Sequence, residues 1–108
     1  MIPMVKVVQP SGILDSTKAE PFRQEISESL ATGTEIVLVD LKDVTFMDSS
    51  GLGALVLAFK TVRAAGAKLF LCSINEQIRI LFDLTSIDSV FEIFANRDEF
   101  NKIVAFTK

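Results

Sequence analysis

The chain has no histidine, no tryptophan and no tyrosine, and only one cysteine among its 108 residues. Each gap closes off some chemistry. Without histidine, neither a Ser-His-Asp triad nor a histidine-bearing zinc site can be built. General acid–base catalysis would then need a strongly perturbed carboxylate or lysine, because no other side chain changes charge near neutrality at its ordinary pKa. The single Cys72 cannot form an internal disulfide, and its place in the apolar run LFLCSI marks it as a buried, inert thiol. An excess of positive charge is missing too: 11 Lys and Arg against 14 Asp and Glu leave a net charge of -3, the wrong balance for gripping nucleic acid. No apolar run reaches the ~18 residues of a spanning helix. The N-terminal MIPMVKVVQP also lacks the cationic segment and long apolar block of a signal peptide. The expectation is a soluble, cytosolic protein that engages neither membrane nor nucleic acid.

What is present points to one α/β domain. Apolar residues make up 49% of the chain, ample for a core. VKVV (5–8) and GIL (12–14), separated by Pro10-Ser11, predict two short strands pairing as an antiparallel hairpin. A helix follows from about Asp15-Ser16-Thr17 to near Gly33. Thr17 and Glu20 fit a capping box, Phe22, Ile26 and Leu30 recur every fourth residue, and Pro21 is expected in the first turn. IVLVD (36–40) has the continuous apolar pattern of a central strand buried on both faces. Leu52, Leu55, Val56, Phe59 and Val62 predict a helix closed by Arg63 and Gly66. KLFLC (68–72) repeats the buried-strand pattern, a helix spans roughly 75–84, and VFEIF (90–94) gives a further strand. Asn96 and Glu99 open a last helix carrying Phe100, Ile103 and Val104. Successive strand–helix–strand units require parallel pairing. The predicted fold is therefore a mixed β-sheet of about four to five strands packed with about four helices.

FMDSSGLGAL (46–55) continues from the apolar VTFM and runs into the Leu52 helix, and is expected as a loop opening onto a helix N-terminus, where unpaired N–H groups carry partial positive charge. Known anion motifs do not fit. The dinucleotide fingerprint would need glycine where Val56 stands, a P-loop would need a lysine after a glycine, and a nucleophile elbow would need glycine where Asp48 stands. Taken from residue chemistry alone, Asp48, Ser49 or Ser50 is an ordinary N-cap, with the glycines allowing a tight turn. Asp15 is equally a cap or a binding residue. Asp40 and Asp43 read as solvated or capping groups, Lys60 and Arg63 as a solvated helix face, and the phenylalanines mostly as core, with one or two left for a partner site.

The segment DSSGLG, preceded by Phe46-Met47, resembles the STAS-domain anti-sigma factor antagonists of bacteria. SGILD (11–15) is similar to that family's strand-end Gly-x-Leu-Asp pattern, and the resemblance runs over nearly the whole chain, implying one STAS domain over residues 1–108. In that family the serine directly before the glycine is phosphorylated by a partner that is both serine kinase and anti-sigma factor, and a serine phosphatase reverses the step. By the match this serine is Ser50, with Asp15, Asp48, Ser49, Gly51 and Gly53 on the same partner-binding surface. The resemblance implies no enzyme activity, no cofactor and no metal. Two alternatives stay open: a STAS module in a kinase and phosphatase pathway that controls no sigma factor, and a small-ligand or nucleotide carrier using the glycine segment as an anion site.

Overall fold

The computed structural model describes residues 4–106. Residues 1–3 and 107–108, on which the leader reading and the outer domain limits partly rest, lie outside the described residues. In chain order the elements are β1 (Val5–Val8), β2 (Gly12–Leu14), α1 (Ser16–Ala31), β3 (Ile36–Asp40), β4 (Val44–Met47), α2 (Ser49–Ala64), β5 (Lys68–Cys72), α3 (Glu76–Thr85), a 3-10 turn (Ile87–Ser89), β6 (Ile93–Phe94) and α4 (Arg97–Phe106). The α/β class and the four helices agree with the sequence reading.

The strands form a four-stranded sheet in the order β1-β3-β5-β6 and a separate pair β2-β4. The expected N-terminal hairpin is not formed. β1 runs parallel to β3, with Val7 opposite Leu38, and β2 runs parallel to β4, with Leu14 opposite Met47. Pro10 and Ser11 thus carry the chain from one sheet to the other. The physical reason is burial: pairing with β3 gives Val8 a place in the main core, which a hairpin with the three-residue β2 could not supply.

Every residue of β3 is buried, as its continuous apolar pattern demands. Val37 and Val39 face the larger core, built with Phe22 and Ile26 of α1, Leu55 and Val62 of α2, and Ile78 and Phe82 of α3. Ile36 and Leu38 face the other way, into a smaller cluster with Cys72, Phe94 and Phe100 that α4 covers. Phe70, Phe94 and Phe100 pack mutually there, with ring centroids 5.6–5.9 Å apart.

Helix α1 begins earlier than the capping-box reading places it. Asp15 is its N-cap, accepting from the Thr17 N–H at 3.0 Å and the Thr17 hydroxyl at 2.5 Å. An ionised carboxylate two residues ahead outcompetes the Thr17 hydroxyl as a cap, and Glu20 pairs instead with Arg23. Pro21 therefore sits in the second turn, not the first. The strand over 90–94 shortens to Ile93–Phe94, because the 3-10 turn precedes it and Phe91 turns inward to stack on Phe82 at 5.9 Å. At α4, Asn96 accepts from the Glu99 N–H and Glu99 returns to the Ala95 N–H, both at 2.9 Å, a capping box shifted by one residue.

Asp40 is not the solvated residue that its place at a strand end suggests. Its side chain is 2% exposed and holds the Lys42 N–H at 3.0 Å and the Arg97 guanidinium at 2.6 Å. Burial alone would push its carboxyl up; the Lys42 N–H, Arg97 and the Cys72 thiol together hold it below the usual range. Cys72 is fully buried, and desolvation pushes its thiol up, which agrees with an inert role.

Candidate functional site

Because β2 and β4 are parallel and end in register at Leu14 and Met47, the two residues that follow, Asp15 and Asp48, stand in equivalent positions. Each caps a helix. Asp48 is extended (φ -103, ψ -174) and its carboxylate accepts from the Gly51 N–H at 2.9 Å, while its carbonyl takes the Leu52 N–H at 3.0 Å. The apolar VTFM segment is thus strand β4, and the helix begins at once. Ser49, Ser50 and Gly51 lie in the first turn of α2 rather than in a loop ahead of it.

The three small residues of that turn have different surroundings. Ser49 and Ser50 are both exposed, and their N–H groups are among those that helix geometry leaves without an intrahelical acceptor. Gly51 is buried against the end of β2: a β-carbon there would stand 2.1 Å from the Leu14 carbonyl oxygen and 3.0 Å from Cγ of Met47. Only glycine fits. Gly53 is exposed, with nothing within 4 Å of where its β-carbon would be.

Contact between the two strand–helix units runs through Leu14, whose carbonyl also accepts from the Asp48 N–H at 3.4 Å. The structure therefore brings Asp15, Asp48, Ser49, Ser50 and Gly51 to one edge of the molecule, with Gly53 one turn further along α2. The Thr17 hydroxyl first, then the Thr17 and Lys18 N–H groups and the Lys18 charge, outweigh desolvation and hold the Asp15 carboxyl below its ordinary value, so this edge carries a negative charge.

Sequence reasoning missed three features of this edge. On the small sheet, Ile13 and Phe46 are cross-strand partners and remain 51% and 46% exposed, an apolar pair beside the serines. Phe46 is the exposed one among the phenylalanines whose side chains are described; strand alternation could not have found it, because Val44 and Met47 are both buried and β4 does not alternate. Leu57, 52% exposed, continues the Ser50 and Gly53 face of α2 at helical spacing. Finally, Asn75 and Gln77 of α3 reach the outer side of β4. No sequence signal ties them to residues some thirty positions away.

Among the described residues no group of acidic or cysteine side chains is arranged to hold a metal ion, and no helix is long and apolar enough to cross a membrane. The arrangement offers a recognition surface: two exposed hydroxyls, two capped carboxylates and an apolar pair.

Comparison with known proteins agrees with this architecture. The STAS domain family model matches residues 2–100. The chain belongs to the STAS-domain anti-sigma factor antagonist family. An anti-sigma-B factor antagonist of Bacillus subtilis is 33% identical over 84% of this chain and 83% of its own length. A Thermotoga maritima crystal structure superposes with a TM-score of 0.84 at 26% identity, covering 94% of this chain and 87% of that one. SpoIIAA of Bacillus shares the fold at 18% identity and TM-score 0.78 in its unphosphorylated form, over 97% of this chain and 92% of that one. In its phosphorylated form the values are 19% and 0.69, over 95% and 97%. The curated antagonists of the family are regulatory binding proteins rather than enzymes.

Proposed function

We propose that this STAS protein is an anti-sigma factor antagonist that works by partner switching. Unphosphorylated, it binds an anti-sigma factor that is also a serine kinase and so frees a sigma factor. Phosphorylation of Ser50 ends that binding, and a serine phosphatase restores it. The observation that carries the reading is the placement of Ser50: exposed in the first turn of α2, directly before a glycine that the Leu14 backbone locks in place.

The chemistry of the switch follows from that position. A phosphate on Ser50 would add about -1.5 to -2 charges and three acceptor oxygens. The positive end of the helix and its free N–H groups accommodate an anion, so the domain keeps its fold. That SpoIIAA has the same fold with and without phosphate supports this. The cost falls on the complex. Asp15 and Asp48 already make this edge negative, and a partner shaped for a neutral hydroxyl between them meets a doubly charged group instead.

The test is to incubate the protein with its cognate anti-sigma factor kinase and ATP, then locate the added phosphate by fragment mass spectrometry. Phosphate on Ser50 supports the proposal. Phosphate on Ser49 alone, or on neither serine, overturns it.

A further inference from the structure

Strand β4 has two edges, and only one is paired with a strand. On the edge turned away from β2, the side-chain amide of Gln77 takes the place of a neighbouring strand: its Oε1 accepts from the Met47 N–H at 2.9 Å and its Nε2 donates to the Met47 carbonyl at 2.8 Å. One residue of α3 thus satisfies both backbone groups of one strand residue. Asn75 adds a weaker hold, with Nδ2 donating to the Val44 carbonyl at 3.1 Å while its Oδ1 caps α3 at the Ile78 N–H.

The place of this clamp matters more than its strength. Met47 is the last residue before the Asp48 cap, its side chain is fully buried, and its Cγ forms part of the floor against which Gly51 is pressed. The β2-β4 pair is a two-stranded ribbon of three and four residues with an irregular register between Gly12 and Ile13. Such ribbons are marginal without further support. Two hydrogen bonds from a planar amide hold the two peptide units on either side of the Met47 Cα, and with them the direction in which the first turn of α2 leaves the strand.

We infer that Gln77 is a positioning residue for Ser50: its amide clamp on Met47 sets the orientation of the Asp48–Gly51 turn that the partner kinase must engage. The inference rests on the reading of Ser50 as phosphoacceptor for its functional consequence, but not for the geometry. The Gln77 side chain hydrogen-bonds to Met47 and to neither serine, so its effect passes through the backbone of Met47. It also makes the serine turn depend on α3, an element that sequence spacing does not connect to it.

Two variants test this. Gln77→Met keeps the side-chain length and removes both hydrogen bonds. Gln77→Glu retains the clamp only when protonated, because a carboxylic acid donates to the Met47 carbonyl and a carboxylate cannot. Hydrogen bonding to the neutral form raises the pKa of that glutamate above its ordinary value of about 4.3. The clamp is therefore present at acid pH and lost as pH rises through the raised value. Asp48 beside Met47 and Glu76 beside Gln77 are common to the wild type and both variants, so every reading is taken as a ratio to wild type at the same pH.

In Gln77→Met, amide exchange protection at Met47 is expected to fall about tenfold or more, and the Asp48–Gly51 amide resonances are expected to move. The kcat/KM for phosphorylation by the kinase that modifies the wild type is expected to drop by about tenfold, since small misplacements of a reacting group are costly. In Gln77→Glu the same resonances and the same rate, each as a ratio to wild type, should fall between Gln77→Met and wild type at pH 8, where the carboxylate keeps only the bond from the Met47 N–H, and recover toward wild type at pH 5.5. Unchanged Met47 protection and Asp48–Gly51 resonances in Gln77→Met would overturn the inference, as would a Gln77→Glu ratio that is flat in pH. If no kinase phosphorylates the wild type, the proposed function fails on its own, and the resonance and exchange measurements still decide the role of Gln77.

Discussion

The carbonyl oxygen of Leu14 occupies the space that a side chain on Gly51 would need, at 2.1 Å from the position of a β-carbon. This close approach, together with the Asp48 N–H bond to the same oxygen, joins the end of β2 to the first turn of α2 and sets the depth of the serine turn. The two glycines of the DSSGLG segment therefore have different tolerances.

Gly51→Ala should destabilise the protein at or beyond the upper end of the ~1–3 kcal/mol typical of overpacking, because the obstructing atom is backbone. Gly53→Ala, in open space within a helix, should stabilise it by about 0.5–1 kcal/mol. Urea denaturation of the two variants checks the contrast. Because Gly53→Ala leaves the fold intact, any loss of partner affinity it shows reports direct contact at that position.

Asp40 and Arg97 give a pH prediction. The folded-state pKa of Asp40 is lowered, so its contribution to stability is present above the ordinary carboxylate value and is lost as pH falls through the lowered folded value. Asp40→Asn should cost about 1–2 kcal/mol at pH 7, less than the ~3–5 kcal/mol of a fully buried pair, because the Arg97 side chain is 43% exposed. Thermal melts should show the gap between wild type and variant closing as pH drops below about 4. A gap that persists at pH 2 would assign the loss to packing instead.

Phe46→Ser removes half of the exposed Ile13–Phe46 pair. Stability should change by less than about 1 kcal/mol, the scale of one cross-strand pair, while affinity for the partner should fall about tenfold or more if the aromatic ring is a contact. Calorimetric titration beside a melting curve separates the two effects.

The parts of this fold that were legible in the sequence are those fixed by local pattern. The continuous apolar run of β3 predicted burial on both faces, and helical spacing from Leu52 to Val62 placed α2 and its Gly66 stop. DSSGLG with Phe46-Met47 pointed to the family and to the serine turn. What was not legible depends on partners distant in the chain. Pairing of β1 with β3 and of β2 with β4 overrode the nearby hairpin, since a turn signal at Pro10 cannot reveal which sheet the next strand joins. The Asp40–Arg97 pair spans 57 positions and the Gln77–Met47 clamp spans 30. The cap of α1 went to Asp15 because a carboxylate two residues ahead of Thr17 is the stronger acceptor.

The central claim is that charge on Ser50, and nothing else in the domain, switches the partner off. Its most direct test is a titration of the anti-sigma factor with the wild-type protein, its Ser50-phosphorylated form, Ser50→Asp and Ser50→Ala, with melting curves run in parallel. The account predicts full binding for wild type and Ser50→Ala, a loss of at least a hundredfold for the phosphorylated protein, about 2.7 kcal/mol or more, and a partial loss for Ser50→Asp, which carries one charge and lacks the phosphate geometry. All four should melt alike within a few degrees. Equal affinity of the phosphorylated and unmodified proteins would contradict the account, and a collapsed melting temperature on phosphorylation would show that the charge acts on the fold rather than on the docking surface.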